Sequence, residues 1–173
     1  MTDIASHRGG AALWPENSAT AFRETACLPV EQIEFDVQLS ADGVPVIFHD
    51  ATLDRVTDGT GPLGARTLAE LRELSIFRDG GRIMTLEDGL DILAPTHLVL
   101  RCEIKPGVDM APYPGIVDKT LAAIGARGLI ERTVITSFHL PTLCQVRDRR
   151  PPLRDLIWLV ADPVSYTHLT LPT

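Results

Sequence analysis

Short apolar runs alternate along the chain with stretches whose apolar residues recur at helical spacing, and that order predicts an α/β fold with a parallel sheet and crossover helices. Ile4 to His7 reads as the first strand. Gly9 and Gly10 break it, Trp14 and Pro15 fall in a loop, and Ser18 caps a helix running to about Cys27, with Asn17 as the competing cap. Gln32 to Leu39 is the next strand; Asp42-Gly43 turns the chain and Val44 to Phe48 returns it. Beyond the Gly-rich loop from Asp58 to Gly64, short helices are predicted at Thr67 to Leu74 and Thr85 to Leu93. A strand at Leu98 to Lys105, a helix at Gly115 to Arg127, a strand at Val134 to Phe138, a helix at Pro141 to Arg150 and a strand at Leu156 to Val160 complete the pattern. The result is about five strand and helix units, with no internal repeat and no linker that marks a second domain.

Two of these strands break the rule for a parallel sheet. Strands buried on both faces should be apolar throughout, yet Glu34 and Asp36 project from one side of their strand while Ile33, Phe35 and Val37 take the other. Glu103 and Lys105 repeat the device opposite Cys102 and Ile104. A solvated antiparallel sheet would give the same alternation, but the intervening segments have the pattern of helical crossovers. In a parallel barrel such charges would lie near the C-terminal mouth, where those folds place their chemistry.

Composition narrows the partners. At 173 residues and 45% hydrophobic the chain can bury one real core, and 23% charged residues is ordinary for a globular domain. A formal net charge of -7 without a Lys/Arg cluster argues against nucleic acid and against anionic membranes. No apolar run approaches the roughly 20 residues of a transmembrane segment, and Met1 to Ser6 lacks the layout of a signal peptide, so a cytoplasmic location is expected. Cys27, Cys102 and Cys144 are widely spaced and are expected to be buried small apolar residues.

Converging carboxylates need a cation. Two like charges about 4 Å apart cost on the order of 4 kcal/mol at an effective dielectric near 20, so protons or a metal must offset Glu34, Asp36 and Glu103 if they meet. Oxygen donors favour a divalent cation of the hard class, Mg2+ or Ca2+. His7, in His7-Arg8-Gly9-Gly10, and His49, in His49-Asp50, stand at strand ends and have the chemistry of a general acid and base pair. His97, His139 and His168 are expected to be structural. Arg8 offers a planar fork for phosphate oxygens and Lys105 a point charge. Together these groups point to phosphoryl transfer by charge stabilisation and proton shuttling.

The segments His7-Arg8-Gly9, Pro15-Glu16-Asn17-Ser18, Glu34-Phe35-Asp36-Val37, Asp42-Gly43, His49-Asp50, Leu53-Asp54-Arg55 and Glu103-Ile104-Lys105 resemble, in order and spacing, the glycerophosphodiester phosphodiesterase family. The likeness covers about residues 3 to 160. It implies a (β/α)8 TIM barrel and hydrolysis of small-molecule glycerophosphodiesters to glycerol 3-phosphate and an alcohol. By position it implies that Glu34, Asp36 and Glu103 hold the cation, that His7 and His49 are the acid and base pair, and that Arg8 and Lys105 bind phosphate. Glu16 and Asn17 would support the site. In this fold superfamily a hydroxyl of the substrate's own glycerol can attack phosphorus before water completes the reaction.

Some positions depart from the family pattern. Ser18, Ser40, Val56 and Met84 replace its more usual residues in loops and caps, and Arg101 shares the parity of Glu103 with no partner evident from sequence. A full barrel needs about 250 residues, so residues 1 to 163 are expected to form a partial barrel domain of about five units. Residues 164 to 173 fit none of the family pattern and resemble translated adapter sequence. Full activity is accordingly expected of a longer parent. Rival readings are a lysophospholipase D-like enzyme on the same fold, for which Leu13-Trp14 is the candidate apolar loop, and an inactive fragment or binding domain. An amidohydrolase-type site is disfavoured because its first strand should carry two ligand histidines, whereas His7 is followed by Arg8. The alcohol, the choice between Mg2+ and Ca2+, the order in which the histidines act and the oligomeric state stay open.

Overall fold

A computed structural model describes residues 3–78, 80–149 and 151–160. In chain order the elements are β1 (Ala5–Ser6), α1 (Ala19–Thr25), β2 (Gln32–Leu39), β3 (Pro45–Ile47), α2 (Leu68–Glu73), β4 (Ser75–Ile76), β5 (Gly81–Arg82), α3 (Leu86–Leu93), β6 (Val99–Ile104), α4 (Ile116–Ala126), β7 (Thr133–Ser137), α5 (Leu140–Asp148) and β8 (Asp155–Trp158). Strands β1, β2, β6, β7 and β8 lie side by side in that order, every pair parallel. Strand β3 returns antiparallel along β2, pairing Val37 with Ile47. The sheet has the strand order of the first part of a (β/α)8 barrel and is not closed among the described residues, where β1 and β8 each have one neighbour.

The apolar parity of the strands sets the outer layer. Ile33, Phe35 and Val37 of β2, with Leu100, Cys102 and Ile104 of β6, pack against Phe22 of α1, Leu86, Leu90 and Leu93 of α3, and Ile116 and Ile124 of α4. Each such side chain contributes about 1.5–3 kcal/mol by leaving water. A smaller cluster of Val46, Phe48, Leu53, Leu63, Leu71, Ile76 and Ile83 lies under the excursion between β3 and α3. With one face of β2 committed to helices, Glu34, Asp36 and Gln38 are left for the other face.

Local signals account for the helix starts. Ser18 caps α1 by accepting from the Ala21 amide at 3.1 Å, and Thr67 and Thr85 form capping boxes with Glu70 and Asp88. Asn17 does not cap. The first strand is shorter than expected, because Arg8, Gly9 and Gly10 adopt positive φ of 51°, 70° and 93° and turn the chain before His7 can extend it. The two-residue pairing of β4 with β5 is too short to leave a periodic signal in the sequence.

Other expectations change in the same way. Only Cys102 is buried; Cys27 is exposed in the turn after α1 and Cys144 is half-buried on α5. Arg101 finds its partner on the neighbouring strand, donating to Gln32 Oε1 at 3.2 Å. His97 Nε2 meets the Val30 carbonyl at 3.2 Å and His139 Nδ1 the Thr142 hydroxyl at 2.9 Å, both structural contacts. His168 and the segment from 164 onward lie outside the described residues. Among the described residues no helix is long and apolar enough to cross a membrane.

Candidate active site

Parallel register brings Asp36 of β2 level with Glu103 of β6, and Glu34 lies two residues back on the same face. One carboxylate oxygen from each of Glu34, Asp36 and Glu103 lies within 4.8 Å of the others. Asp36 is wholly buried and Glu103 nearly so. The proximity has an electrostatic consequence: burial, reinforced by the charge of Asp36, pushes the Glu34 carboxyl up to about 8. Glu103 is also raised, by burial, against the lowering effect of Lys105. Lys105 Nζ stands 2.9 Å from Glu103 Oε1 and 3.6 Å from Asp36 Oδ1, an ion pair without hydrogen-bond angles. Asp36 Oδ1, Glu103 Oε1 and the Asn17 amide oxygen are buried and accept no hydrogen bond. Crowded carboxylates faced by the ammonium of Lys105, with an unpartnered Asn17 amide oxygen beside them, fit a hard divalent cation.

The loop after β1 wraps this cluster. Arg8 donates its backbone N–H to Glu34 Oε2 at 2.8 Å, which its left-handed conformation makes possible. Gly9 follows at φ 70° with no room for a Cβ, which would meet the Phe22 ring at 2.9 Å. Asn17, also at positive φ, donates its backbone N–H to the Arg8 carbonyl at 3.0 Å and its Nδ2 to Asp36 Oδ2 at 2.9 Å. It orients a carboxylate and the loop together. The His7 side chain is 69% exposed, with Nε2 3.9 Å from Glu34 Oε2. Partial burial of the ring, then the Arg8 charge, hold its pKa below the ordinary value, an effect its exposure limits.

His49 follows β3 and is held on both ring nitrogens. Nδ1 meets Asp50 Oδ1 at 2.6 Å and Nε2 meets Arg8 Nη2 at 2.8 Å. Arg8 Nη1 donates to Glu16 Oε1 at 3.0 Å. Arg55 grips Glu16 through two bonds of 2.7 and 2.8 Å, and Asp50 through bonds of 2.5 and 3.1 Å. Burial is the largest single influence on the Asp50 carboxyl and raises it, but the hydrogen bonds from Arg55 and His49 together with their charges outweigh it and hold the group at about 2. Beside these groups opens a cavity of about 450 Å³ lined by His49, Glu103, Lys105, Val108, Met110 and Phe138.

All nine residues singled out from the sequence thus join one constellation: Glu34, Asp36 and Glu103 at its centre, Lys105 and Asn17 on the carboxylates, Arg8, Glu16 and His49 in a linked row, and His7 at the rim. Sequence reasoning missed Gln38. Wholly buried, it shares its Nε2 among the carbonyls of Phe48, His49 and Asp50 at 2.9, 3.1 and 2.7 Å, and its Oε1 accepts from the Tyr113 hydroxyl at 3.1 Å. Strand parity with Glu34 and Asp36 was the available signal. Asp50 and Arg55 belong to motif segments of the sequence, but the links they make do not show there, since both lie in irregular backbone.

The model of the glycerophosphoryl diester phosphodiesterase family matches residues 7–171. The chain belongs to this family. It is 36% identical to a glycerophosphodiester phosphodiesterase of Caldanaerobacter subterraneus subsp. tengcongensis, over 98% of this chain and 72% of that protein. Among solved structures of family members, it superposes on a glycerophosphodiester phosphodiesterase of Agrobacterium tumefaciens with a TM-score of 0.79 and 31% identity, covering 91% of this chain and 67% of the other. An Oleispira antarctica phosphodiesterase, solved with the product sn-glycerol-3-phosphate, gives a TM-score of 0.74 at 26% identity over 96% of this chain and 70% of its own. The chain therefore spans 67% to 72% of the length of these relatives.

Proposed function

We propose that this site belongs to a hydrolase that splits glycerophosphodiesters into glycerol 3-phosphate and an alcohol. The observation that carries the reading is the meeting of three carboxylates from two strands beside Arg8, Lys105 and His49. Glu34, Asp36 and Glu103 would hold a divalent cation, Mg2+ or Ca2+, which when bound supplies positive charge to the phosphodiester oxygens. Arg8 and Lys105 bind and orient the phosphate, Arg8 through the edge it now presents to His49. Water, or first a hydroxyl of the substrate's glycerol, attacks phosphorus; an O–P bond forms as the bond to the departing alcohol breaks. One imidazole of the His7 and His49 pair takes the attacking group's proton and the other gives a proton to the leaving oxygen. Asn17 keeps Asp36 aimed at the cluster and Glu16 keeps Arg8 extended. A cytoplasmic location is part of the same proposal, checked by fractionating cells that express the protein. The likeness to an enzyme solved with sn-glycerol-3-phosphate supports the product named here.

The test is release of glycerol 3-phosphate from glycerophosphocholine by the intact protein, with and without a chelator. Release that stops on chelation and returns with Mg2+ or Ca2+ is expected; absence of release in every condition would overturn the reading. One observation favours a second substrate class. Val108, Met110 and Phe138 are 57%, 61% and 45% exposed beside the site, and Leu13 is 62% exposed. A lysophospholipid tail would cover such surface, so turnover of a lysolipid faster than glycerophosphocholine would support the lysophospholipase D-like alternative.

A further inference from the structure

Five side chains from two segments, the one after β1 and the one after β3, close into a ring of hydrogen bonds: His49 to Asp50, Asp50 to Arg55, Arg55 to Glu16, Glu16 to Arg8, and Arg8 back to His49. Charges alternate around it. Arg8 and Arg55 are separated on one side by Glu16, and Asp50 separates Arg55 from the imidazole. Arg8 and His49 face the carboxylate cluster, whereas Arg55 stands behind them with a side chain 48% exposed. Its fork is the sole link, among the described residues, between the carboxylate that holds Arg8 and the carboxylate that holds His49.

We infer that Arg55 is a positioning residue: it fixes the separation of the phosphate-binding Arg8 and the proton-transferring His49, and through Asp50 it holds the His49 proton on Nδ1 with the lone pair on Nε2. The tautomer follows from donor chemistry. A guanidinium has no acceptor, so Nε2 must accept from Arg8, and the ring proton sits on Nδ1 where the Asp50 carboxylate receives it. Two bonds to each carboxylate set both distance and angle, which a single flexible contact would not do. An exposed ion pair is ordinarily worth little. Closure of the ring is what makes this one matter, because Arg55 touches neither the phosphate site nor the cation site yet restrains both Arg8 and His49.

The role rests on the phosphodiesterase reading for its kinetic consequence and not for its structural one. Two measurements separate them: nitrogen chemical shifts of the His49 ring by NMR, and kcat and KM for glycerophosphocholine, on wild type, Arg55→Gln, Asp50→Asn and the double variant. In wild type the His49 shifts should report the proton on Nδ1. In Arg55→Gln they should move toward a mixture of tautomers while the thermal midpoint changes little, and kcat should fall about a hundredfold, the scale of an ångström-level misplacement. The double variant should lose no more than the more damaging single one, because both cut the same link. A wild-type ring protonated on Nε2, an Arg55→Gln protein with unchanged His49 signals, or one whose midpoint drops while kcat holds, overturns the inference. A wild type that cleaves no glycerophosphodiester would sink the functional proposal alone, and the ring signals would still decide the role of Arg55.

Discussion

Arg8 Nη2 stands 2.8 Å from His49 Nε2, so the guanidinium proposed to bind phosphate and the nitrogen proposed to exchange a proton are each other's partner. An arriving phosphodiester competes for Arg8 with two oxygens of full or partial charge, a better acceptor than a neutral imidazole. In the proposed reaction its binding would free the Nε2 lone pair. Arg8→Lys keeps the charge and loses the fork that spans Glu16 and His49. At about 1.5–3 kcal/mol for a charged hydrogen bond, kcat/KM should fall roughly ten- to hundredfold, with much of the loss in KM; steady-state kinetics at varied substrate checks it.

His7→Ala and His49→Ala should each reduce release of glycerol 3-phosphate by about 10²- to 10⁴-fold, the range for removing a general acid or base. The fold should survive the first change, because the His7 side chain is 69% exposed and surface substitutions shift stability within about 0.5 kcal/mol. Near-normal turnover by either variant, measured beside its circular dichroism spectrum, would defeat the assignment.

Glu34 makes the metal-free protein sensitive to pH. Burial and Asp36 lift its carboxyl from the ordinary 4.5 to about 8. The folded state then binds a proton that the unfolded state has released, so the stability contributed is complete below 4.5 and is lost as pH rises through about 8. After chelation the melting temperature should decline over that window, and Glu34→Gln should flatten the decline. Added Mg2+ or Ca2+ should reverse it in wild type. A wild-type slope retained in the Gln variant would rule out Glu34 as its source.

Gln38→Met preserves volume but removes the amide that the Phe48, His49 and Asp50 carbonyls share. Leaving buried acceptors without this donor should cost about 1–3 kcal/mol, seen as a lower denaturation midpoint. Turnover should drop further than stability does, because the displaced backbone carries His49. Unchanged activity per folded molecule would show that Gln38 is structural only.

Much of the fold was legible because its signals are local. Strand β2 matches the predicted span, and α2 and α3 begin where Thr67 and Thr85 announce them. The expected parallel sheet follows from the alternation of strand and helix patterns, and the shared face of Glu34 and Asp36 from side-chain parity, both of which a linear sequence displays directly. The sequence pattern predicts His7 at the end of a strand, whereas it opens a tight turn, since three consecutive positive-φ residues depend on packing against Phe22 and on the hydrogen bond from Arg8 to Glu34. Asn17 likewise looked like a cap, and the pull of the buried Asp36 carboxylate outweighed that local role.

By itself the sequence determined which residues face the helices, which carry charge to the opposite face, and the order of chemical groups that marks the family. Tertiary structure alone decided that Asp36 pairs in register with Glu103, that Gln38 anchors the turn bearing His49, and that Arg55 connects Glu16 with Asp50. The division has one physical cause: parity and capping act over a few residues of continuous backbone, whereas register and charge pairing depend on the distances at which separate segments come to rest.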